Sequence, residues 1–177
     1  MRIISGKYKG KRLQAPKKLP VRPTTDFAKE ALFNILNNQI HFQEISLLDL
    51  FSGTGNISYE FASRGTQNII AVDNFFGCVQ YIQKISDELK FNIQPFKSDV
   101  YKFLERTHLT FDVVFADPPY DFSEEKFHQI VTSIFKNSLL KQEGMVIIEH
   151  SKHTDLSKNP YFDNARRYGG SVFSFFK

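Results

Sequence analysis

Between Ser46 and Phe176, short apolar runs alternate with stretches whose apolar residues recur at helical spacing. This alternation constrains the fold more than any other feature. Ser46–Phe51, Asn68–Val72, Asn92–Lys97, Phe111–Ala116 and Met145–Glu149 read as strands. Ile57–Arg64, Phe75–Lys90, Val100–Arg106 and Phe122–Phe135 read as the helices between them. Gly65 closes the first of these helices, and Phe127, Ile130, Val131 and Ile134 line one stripe of the last. The pattern predicts an α/β fold, with a parallel sheet, right-handed crossovers and helices on both faces. Two final runs, Phe162–Tyr168 and Ser171–Phe176, meet at Gly169-Gly170. So tight a join makes them an antiparallel pair.

Ligands of such sheets bind at the carboxyl ends of the strands. The polar residues worth singling out share that address. Asp49 and Gly53–Gly55 close the first strand, Asp73 the second, Asp99 the third and Asp117–Tyr120 the fourth. A core does not require polar groups at four successive strand ends, so the placement points to a ligand.

The fourth strand ends on Asp117-Pro118-Pro119-Tyr120. Two prolines fix the backbone and remove two N–H donors. What remains is a rigid rim of acceptors, the Asp117 carboxylate and the carbonyls of Pro118 and Pro119, beside the flat ring of Tyr120. A nucleobase amino group is a poor nucleophile because its lone pair is delocalised into the ring. Two acceptors gripping its hydrogens would return that pair to nitrogen and aim it, while the aromatic ring stacks on the base, worth about 1–3 kcal/mol. Asp117, Pro118, Pro119 and Tyr120 are therefore the candidate catalytic residues.

Phe51-Ser52-Gly53-Thr54-Gly55 lets the backbone approach a ligand ahead of a helix N-terminus. Asp73 follows Gly55 by 18 residues, close to the spacing at which an acid accepts both ribose hydroxyls. A dinucleotide site wants a further glycine where this chain has Ser58. S-adenosylmethionine has no pyrophosphate to cradle, so that departure favours it over NAD. Asp99 can accept from an adenine amino group, cap the following helix, or do both. Asp49 can face the cofactor's ammonium or orient the loop. The candidate cofactor set is Asp49, Phe51, Ser52, Gly53, Gly55, Asp73, Asn74, Asp99, Val100 and Asp117.

The net charge of +4 conceals an asymmetry. Residues 1–40 carry 9 Lys/Arg against 2 Asp/Glu, whereas the remainder has a small acidic excess. A basic arm on a mildly acidic body suits a polyanion. Met1–Leu13 reads as a hairpin whose turn crowds Lys7, Tyr8, Lys9, Lys11 and Arg12. An extended linker with Pro16, Pro20 and Pro23 follows, and then a helix led by Arg22, Thr24, Thr25 and Asp26. Thr24 or Thr25 is the expected N-cap, and Phe27, Ala31, Leu32, Ile35 and Leu36 are expected to pack on the body. Arg2, Lys7, Lys9, Lys11, Arg12, Arg22, Thr24 and Thr25 are the candidate phosphate contacts, with Tyr8 as a stacking aromatic. No apolar stretch approaches a membrane span, and a signal-peptide core is lacking. Cys78 is the single cysteine, which excludes an internal disulfide and a cysteine-built metal site. These features read as cytoplasmic, with no metal.

The chain resembles class I S-adenosylmethionine-dependent methyltransferases of the Asp/Asn-Pro-Pro-aromatic group. More narrowly it is similar to the RsmD family, which methylates a guanine N2 in 16S ribosomal RNA. That resemblance rests on Arg2-Ile3-Ile4-x-Gly6, Gly10-Lys11-Arg12-Leu13, Arg22-Pro23-Thr24-Thr25-Asp26, Glu30-x-Leu32-Phe33-Asn34, Asp49–Gly55 and Asp117–Tyr120. It implies a seven-stranded sheet with a reversed last strand, S-adenosylmethionine as cofactor, and 16S rRNA in the assembling small subunit as partner. On this reading residues 1–40 are an RNA-binding extension, residues 41–177 are the methyltransferase domain, and the protein is a monomer. A DNA or other RNA amino-methylase shares the tetrapeptide, and a cofactor-free RNA-binding protein of the same fold is the other alternative.

Overall fold

The structure is a computed structural model that describes residues 1–16, 19, 24–119 and 121–177. The elements run α1 (Asp26–Leu36), β1 (Ser46–Leu50), α2 (Asn56–Ser63), β2 (Asn68–Asp73), α3 (Phe76–Leu89), β3 (Ile93–Lys97), α4 (Val100–Arg106), β4 (Phe111–Ala116), α5 (Glu124–Lys136), β5 (Leu140–Ser151), β6 (Phe162–Tyr168) and β7 (Ser171–Phe176). The described residues form a seven-stranded sheet in the order β3-β2-β1-β4-β5-β7-β6. β1 to β5 run parallel to one another, and β7 runs antiparallel to both β5 and β6. Strand order reverses between β1 and β4, so the carboxyl ends of those two strands frame the crevice where ligands of such sheets sit.

Each sheet face carries its own core, because side chains alternate along a strand. Leu47, Ile69, Ala71, Val113, Phe115, Ile147, Phe173 and Phe175 face α1, α2 and α3. Leu48, Leu50, Ile70, Val72, Val114, Val146, Ile148 and Phe176 face α4 and α5. All five residues of β1 are buried, which explains why its sequence is a run and not an alternation.

Three elements depart from expectation. β5 begins at Leu140, five residues before Met145, because Lys141-Gln142-Glu143 carries no apolar signal. Instead, Lys141 Nζ pairs with Asp112 at 2.7 Å across a bulge opposite Phe111. α5 starts at Glu124, since the N–H of Phe122 closes a turn onto the Pro119 carbonyl at 3.0 Å. In α1 the buried face is Ala28, Lys29, Leu32, Phe33 and Leu36, whereas Phe27 is 66% exposed, contrary to the predicted stripe. A long polar residue thus fills a core position and displaces the aromatic to the surface.

The N-terminal hairpin forms with a single antiparallel bridge, Arg2 to Arg12, flanked by Ile3 N–H to Lys11 O (2.9 Å) and Leu13 N–H to Met1 O (3.0 Å). Ile3 and Leu13 are buried in the same core cluster as α1 and α2. Among the described residues no helix is long and apolar enough to cross a membrane.

Candidate active site at the carboxyl edge of the sheet

The loop after β1 is held by β2. Ser52 donates its N–H to the Val72 carbonyl at 3.0 Å, and Gly53 N–H reaches Asp73 Oδ2 at 2.8 Å. Asp73 Oδ1 accepts from Phe75 N–H at 2.8 Å, so one carboxylate ties the glycine loop to the β2–α3 turn. Both oxygens retain acceptor capacity for a further donor. Burial pushes the Asp73 pKa up, against the pull of those two N–H groups. Gly55, at φ +79, is required twice: an added Cβ would also lie 2.8 Å from Cζ of the buried Tyr59 ring. Phe51 adopts φ 57 without being glycine, and its ring meets Phe122 edge-on at 5.5 Å.

Asp49 is 1% exposed and lies on the α2 face of β1. It accepts from Ser58 Oγ at 2.6 Å. Ser58 stands where a dinucleotide fingerprint has glycine, and it spends its hydroxyl on this carboxylate. Burial outweighs that bond and pushes the Asp49 pKa up to about 7. At β3, Asp99 caps α4 by accepting from Lys102 N–H at 3.1 Å, and it is exposed beside buried Val100. Asn74, Phe75 and Phe76 are exposed at the end of β2. The two phenylalanines form an apolar shelf there that the sequence reading did not single out.

Asp117 leaves β4 with its N–H 3.4 Å from the Leu50 carbonyl. Pro118 is buried and Pro119 is exposed. Of the two carbonyls expected to face a substrate, that of Pro119 is already taken by Phe122 N–H. Among the described residues no hydrogen bond engages the carbonyl of Pro118. The acceptor pair is therefore narrowed to Asp117 and Pro118. Tyr120 and Arg22 lie outside the described residues.

A residue missed from sequence completes the rim. The β4–β5 register pairs Ala116 with Ile148, and one step further brings Asp117 beside Glu149. Glu149 is 1% exposed and accepts from Thr24 Oγ1 at 2.7 Å. Burial first, then the charges of Glu149 and Asp49, holds the Asp117 pKa well above the usual carboxylate range. Burial also raises that of Glu149, opposed by the hydroxyls of Thr24 and Ser171. The signal was present in the sequence. The predicted strand Met145–Glu149 closes on an acid, just as β1 and β2 carry theirs near the same edge.

The structure thus gathers Asp49, Phe51, Ser52, Gly53, Gly55, Asp73, Asn74, Asp99, Val100, Asp117, Pro118 and Pro119 along one edge. It scatters the candidate RNA contacts. Thr24 is buried against Glu149, so it is not a surface contact. Thr25 is the N-cap of α1, accepting from Ala28 N–H at 3.2 Å. Tyr8 is no free stacking platform: its hydroxyl donates to the Leu89 carbonyl at 2.8 Å and its ring packs edge-on against Phe91 at 5.2 Å. Lys7 N–H bonds the Ser63 carbonyl, and Lys11 pairs with Glu88 at 3.3 Å. Ser63 and Leu89 end α2 and α3, helices that run back from the carboxyl edge, so the basic turn with Lys7 and Lys9 sits at the opposite edge. Arg2 and Arg12, at the open end of the hairpin, lie nearer the site, with Arg2 paired to Asp26 at 3.3 Å.

A buried polar thread joins the hairpin to this rim. Lys29, 1% exposed, donates from Nζ to the Arg2 carbonyl (2.7 Å) and to Asn56 Oδ1 (2.8 Å), and lies 3.5 Å from Glu60 Oε2. Glu60, fully buried, also accepts from Ile4 and Ser5 N–H at 2.8 and 3.0 Å and from Arg64 at 3.0 Å. Asn56 Nδ2 donates to the Thr24 carbonyl at 3.1 Å, and the Thr24 hydroxyl continues to Glu149. Apart from Glu60 and Arg64, one turn apart at the end of α2, these partners are 27 or more positions apart in sequence, which is why the thread was invisible beforehand.

The family model described as "Conserved hypothetical protein 95" matches residues 1–177. The chain belongs to that family, the RsmD family. It is 34% identical over 161 residues to the putative rRNA methyltransferase YlbH of Bacillus subtilis, covering 88% of this chain and 85% of that one. To ribosomal RNA small subunit methyltransferase D of Escherichia coli K12 it is 29% identical over 161 residues, covering 90% and 79%. The fold superposes on the structure of a putative methyltransferase, yhhF, from Escherichia coli with a TM-score of 0.84 at 23% identity, covering 99% and 96%. The fold class is therefore that of the Rossmann-like methyltransferases, with the reversed last strand.

Proposed function

We propose that this RsmD-family protein is a cytoplasmic, monomeric enzyme that transfers a methyl group from S-adenosylmethionine to the exocyclic N2 of a guanine in 16S rRNA of the assembling small subunit. The relatives named as small-subunit rRNA methyltransferases support the substrate class. The observation that carries the chemistry is the presence, at one strand end, of the desolvated Asp117 carboxylate and the Pro118 carbonyl, which no hydrogen bond engages among the described residues.

The donor set at the carboxyl edge fits this cofactor. Asp49, Asp73 and Asp117 would repel a pyrophosphate but complement a ligand bearing a sulfonium and an ammonium. The Ser58 hydroxyl, bonded to Asp49, supports the same choice. Asp73 would take the ribose hydroxyls on its remaining lone pairs, Asp99 the adenine amino group, and Asp49 the ammonium. Gly53 and Gly55 let the loop backbone approach, and Phe51, Ser52, Asn74 and Val100 wall the pocket. The cofactor supplies an electrophilic methyl group on sulfur.

The remaining work falls to this chain. The target base leaves its stack and enters beside Tyr120, which lies against its plane. Asp117 and the Pro118 carbonyl accept its two amino hydrogens and aim the nitrogen lone pair. A carboxylate desolvated beside two others gains strongly from such donors, so the site selects an NH2 over a carbonyl edge. Transfer breaks the methyl–sulfur bond and leaves S-adenosylhomocysteine; the cationic amine then gives its extra proton to solvent, and Asp117 therefore orients more than it deprotonates. Most of the acceleration is positional. Residues 1–40 serve as the RNA-binding extension and residues 41–177 as the catalytic domain.

The test is labelled-methyl transfer to unmethylated small subunits, followed by nucleoside identification, with Asp117→Ala in parallel. N2-methylguanosine is expected from the wild type. The variant should lose transfer while its calorimetric affinity for S-adenosylmethionine stays within a few-fold. N6-methyladenosine or N4-methylcytidine would replace the substrate assignment. Full activity of Asp117→Ala would refute the mechanism.

A further inference from the structure

The last hairpin of the sheet carries two further cationic groups to the catalytic rim. Because β7 is antiparallel, its first residue, Ser171, pairs with Ser151 at the carboxyl end of β5. The Gly169-Gly170 turn therefore projects at the same edge as Asp117 and Glu149. Tyr168 precedes it, and its ring meets Phe27 edge-on at 6.3 Å and Phe173 at 6.3 Å. Phe27, in the first turn of α1, is 66% exposed and the most exposed large apolar side chain among the described residues. Arg166 pairs with Phe173 across the antiparallel ladder and so shares the α1 face with Tyr168. Arg167 folds over the turn, with Nε donating to the Gly169 carbonyl at 3.1 Å. Both arginines are exposed, and among the described residues neither forms an ion pair with an acid. Asp26, the acid in the first turn of α1, is engaged by Arg2.

An exposed aromatic beside Arg166, with Arg167 over the adjoining turn and neither arginine ion-paired among the described residues, matches the chemistry of single-stranded nucleic acid: a ring for a base and guanidinium groups for phosphates. We infer that Phe27, Tyr168, Arg166 and Arg167 form a contact surface for the RNA strand flanking the target nucleotide, on the side of the pocket away from the cofactor. β6 lies three strand intervals from β4, or about 14 Å at ~4.8 Å each, so this surface reaches nucleotides beside the flipped base and not the base itself. The net charge of residues 41–177 concealed it, because its two positive charges sit in an acidic segment. The inference rests on the RNA substrate proposed above.

Arg166→Gln/Arg167→Gln and Phe27→Ala change exposed side chains and should leave thermal stability and S-adenosylmethionine affinity unchanged. Binding to deproteinised 16S rRNA is measured across a salt series, together with kcat/KM for methyl transfer. The double arginine variant should reduce the slope of log affinity against log salt by about 1.4, two single-strand phosphate contacts at about 0.7 each. Phe27→Ala should weaken RNA binding about fivefold or more with little change in that slope. An unchanged slope and affinity in both variants, with wild-type transfer intact, would overturn the surface while leaving the proposed reaction standing. Losses confined to protein-containing particles would also overturn it, in favour of a ribosomal-protein contact. A wild-type protein that neither binds nor methylates RNA would remove the proposed function, and this surface with it.

Discussion

Lys29 and Glu60 offer the sharpest test of how the hairpin is held. Lys29→Met would remove an ammonium that two acceptors depend on, the Arg2 carbonyl at 2.7 Å and Asn56 Oδ1 at 2.8 Å. Each orphaned buried acceptor costs about 1–3 kcal/mol, giving about 2–6 kcal/mol for the two, which brackets the roughly 3–5 kcal/mol usual for breaking a buried pair. Glu60 would stay compensated by Arg64 and by the N–H groups of Ile4 and Ser5. Glu60→Gln leaves the opposite defect, a buried ammonium without its counter-charge, at a similar cost. The two variants share one interaction, so the double variant should be less destabilised than the sum by about 2–3 kcal/mol. Domains of this size are stable by about 5–15 kcal/mol, so each single variant should fold with a visibly lower urea midpoint. Hydrogen exchange at Ile4 and Ser5 should accelerate in both. Additive losses in the cycle, or a Lys29→Met cost under about 1 kcal/mol, would refute the reading that this pair staples the hairpin to α2.

Asp49 makes the unliganded protein pH-sensitive in a defined direction. Its folded pKa of about 7 exceeds the unfolded value of 3.8, so its contribution is complete below that value and lost as pH rises toward 7. About three units correspond to roughly 4 kcal/mol. Asp49→Asn should therefore flatten the urea stability profile between pH 4 and 7, and identical slopes in variant and wild type would contradict the burial argument. Lys7→Glu/Lys9→Glu tests the arm without disturbing its anchors. If the turn meets RNA phosphates, affinity falls and the salt slope flattens, whereas an unaltered slope confines RNA contact to the carboxyl edge. Deleting residues 1–23 would be a poorer test, since it exposes the surfaces covered by Ile3 and Leu13 and strips Glu60 of two donors.

The strands and most helices were legible because each carries a local signal. Buried runs such as Val113–Ala116 have no competing reading, and Gly169-Gly170 dictates its own geometry. The start of β5 was not legible, because Lys141-Gln142-Glu143 pairs through the backbone and through an ion pair with Asp112, neither of which apolar patterning records. At the site, acids at strand ends were readable because topology alone assigns them to one edge. Tyr8, Thr24 and Phe27 were misjudged for a single reason. Residue type suggested a surface or core role, but the outcome turned on partners 81, 125 and 141 positions away. Lys29 is the extreme case, a charge inside an apolar stripe whose partners come from the hairpin and α2.

The backward course of β7 has an evolutionary corollary. The β1–α2, β2–α3, β3–α4 and β4–α5 connections at the same rim each lead into a helix, so altering their length disturbs that helix and the packing beneath it. The Gly169-Gly170 tip joins two strands and nothing else. It can be lengthened, shortened or recharged while leaving the cofactor loops untouched. If the hairpin meets RNA as inferred above, a lineage can retune that grip here without renegotiating the chemistry next door.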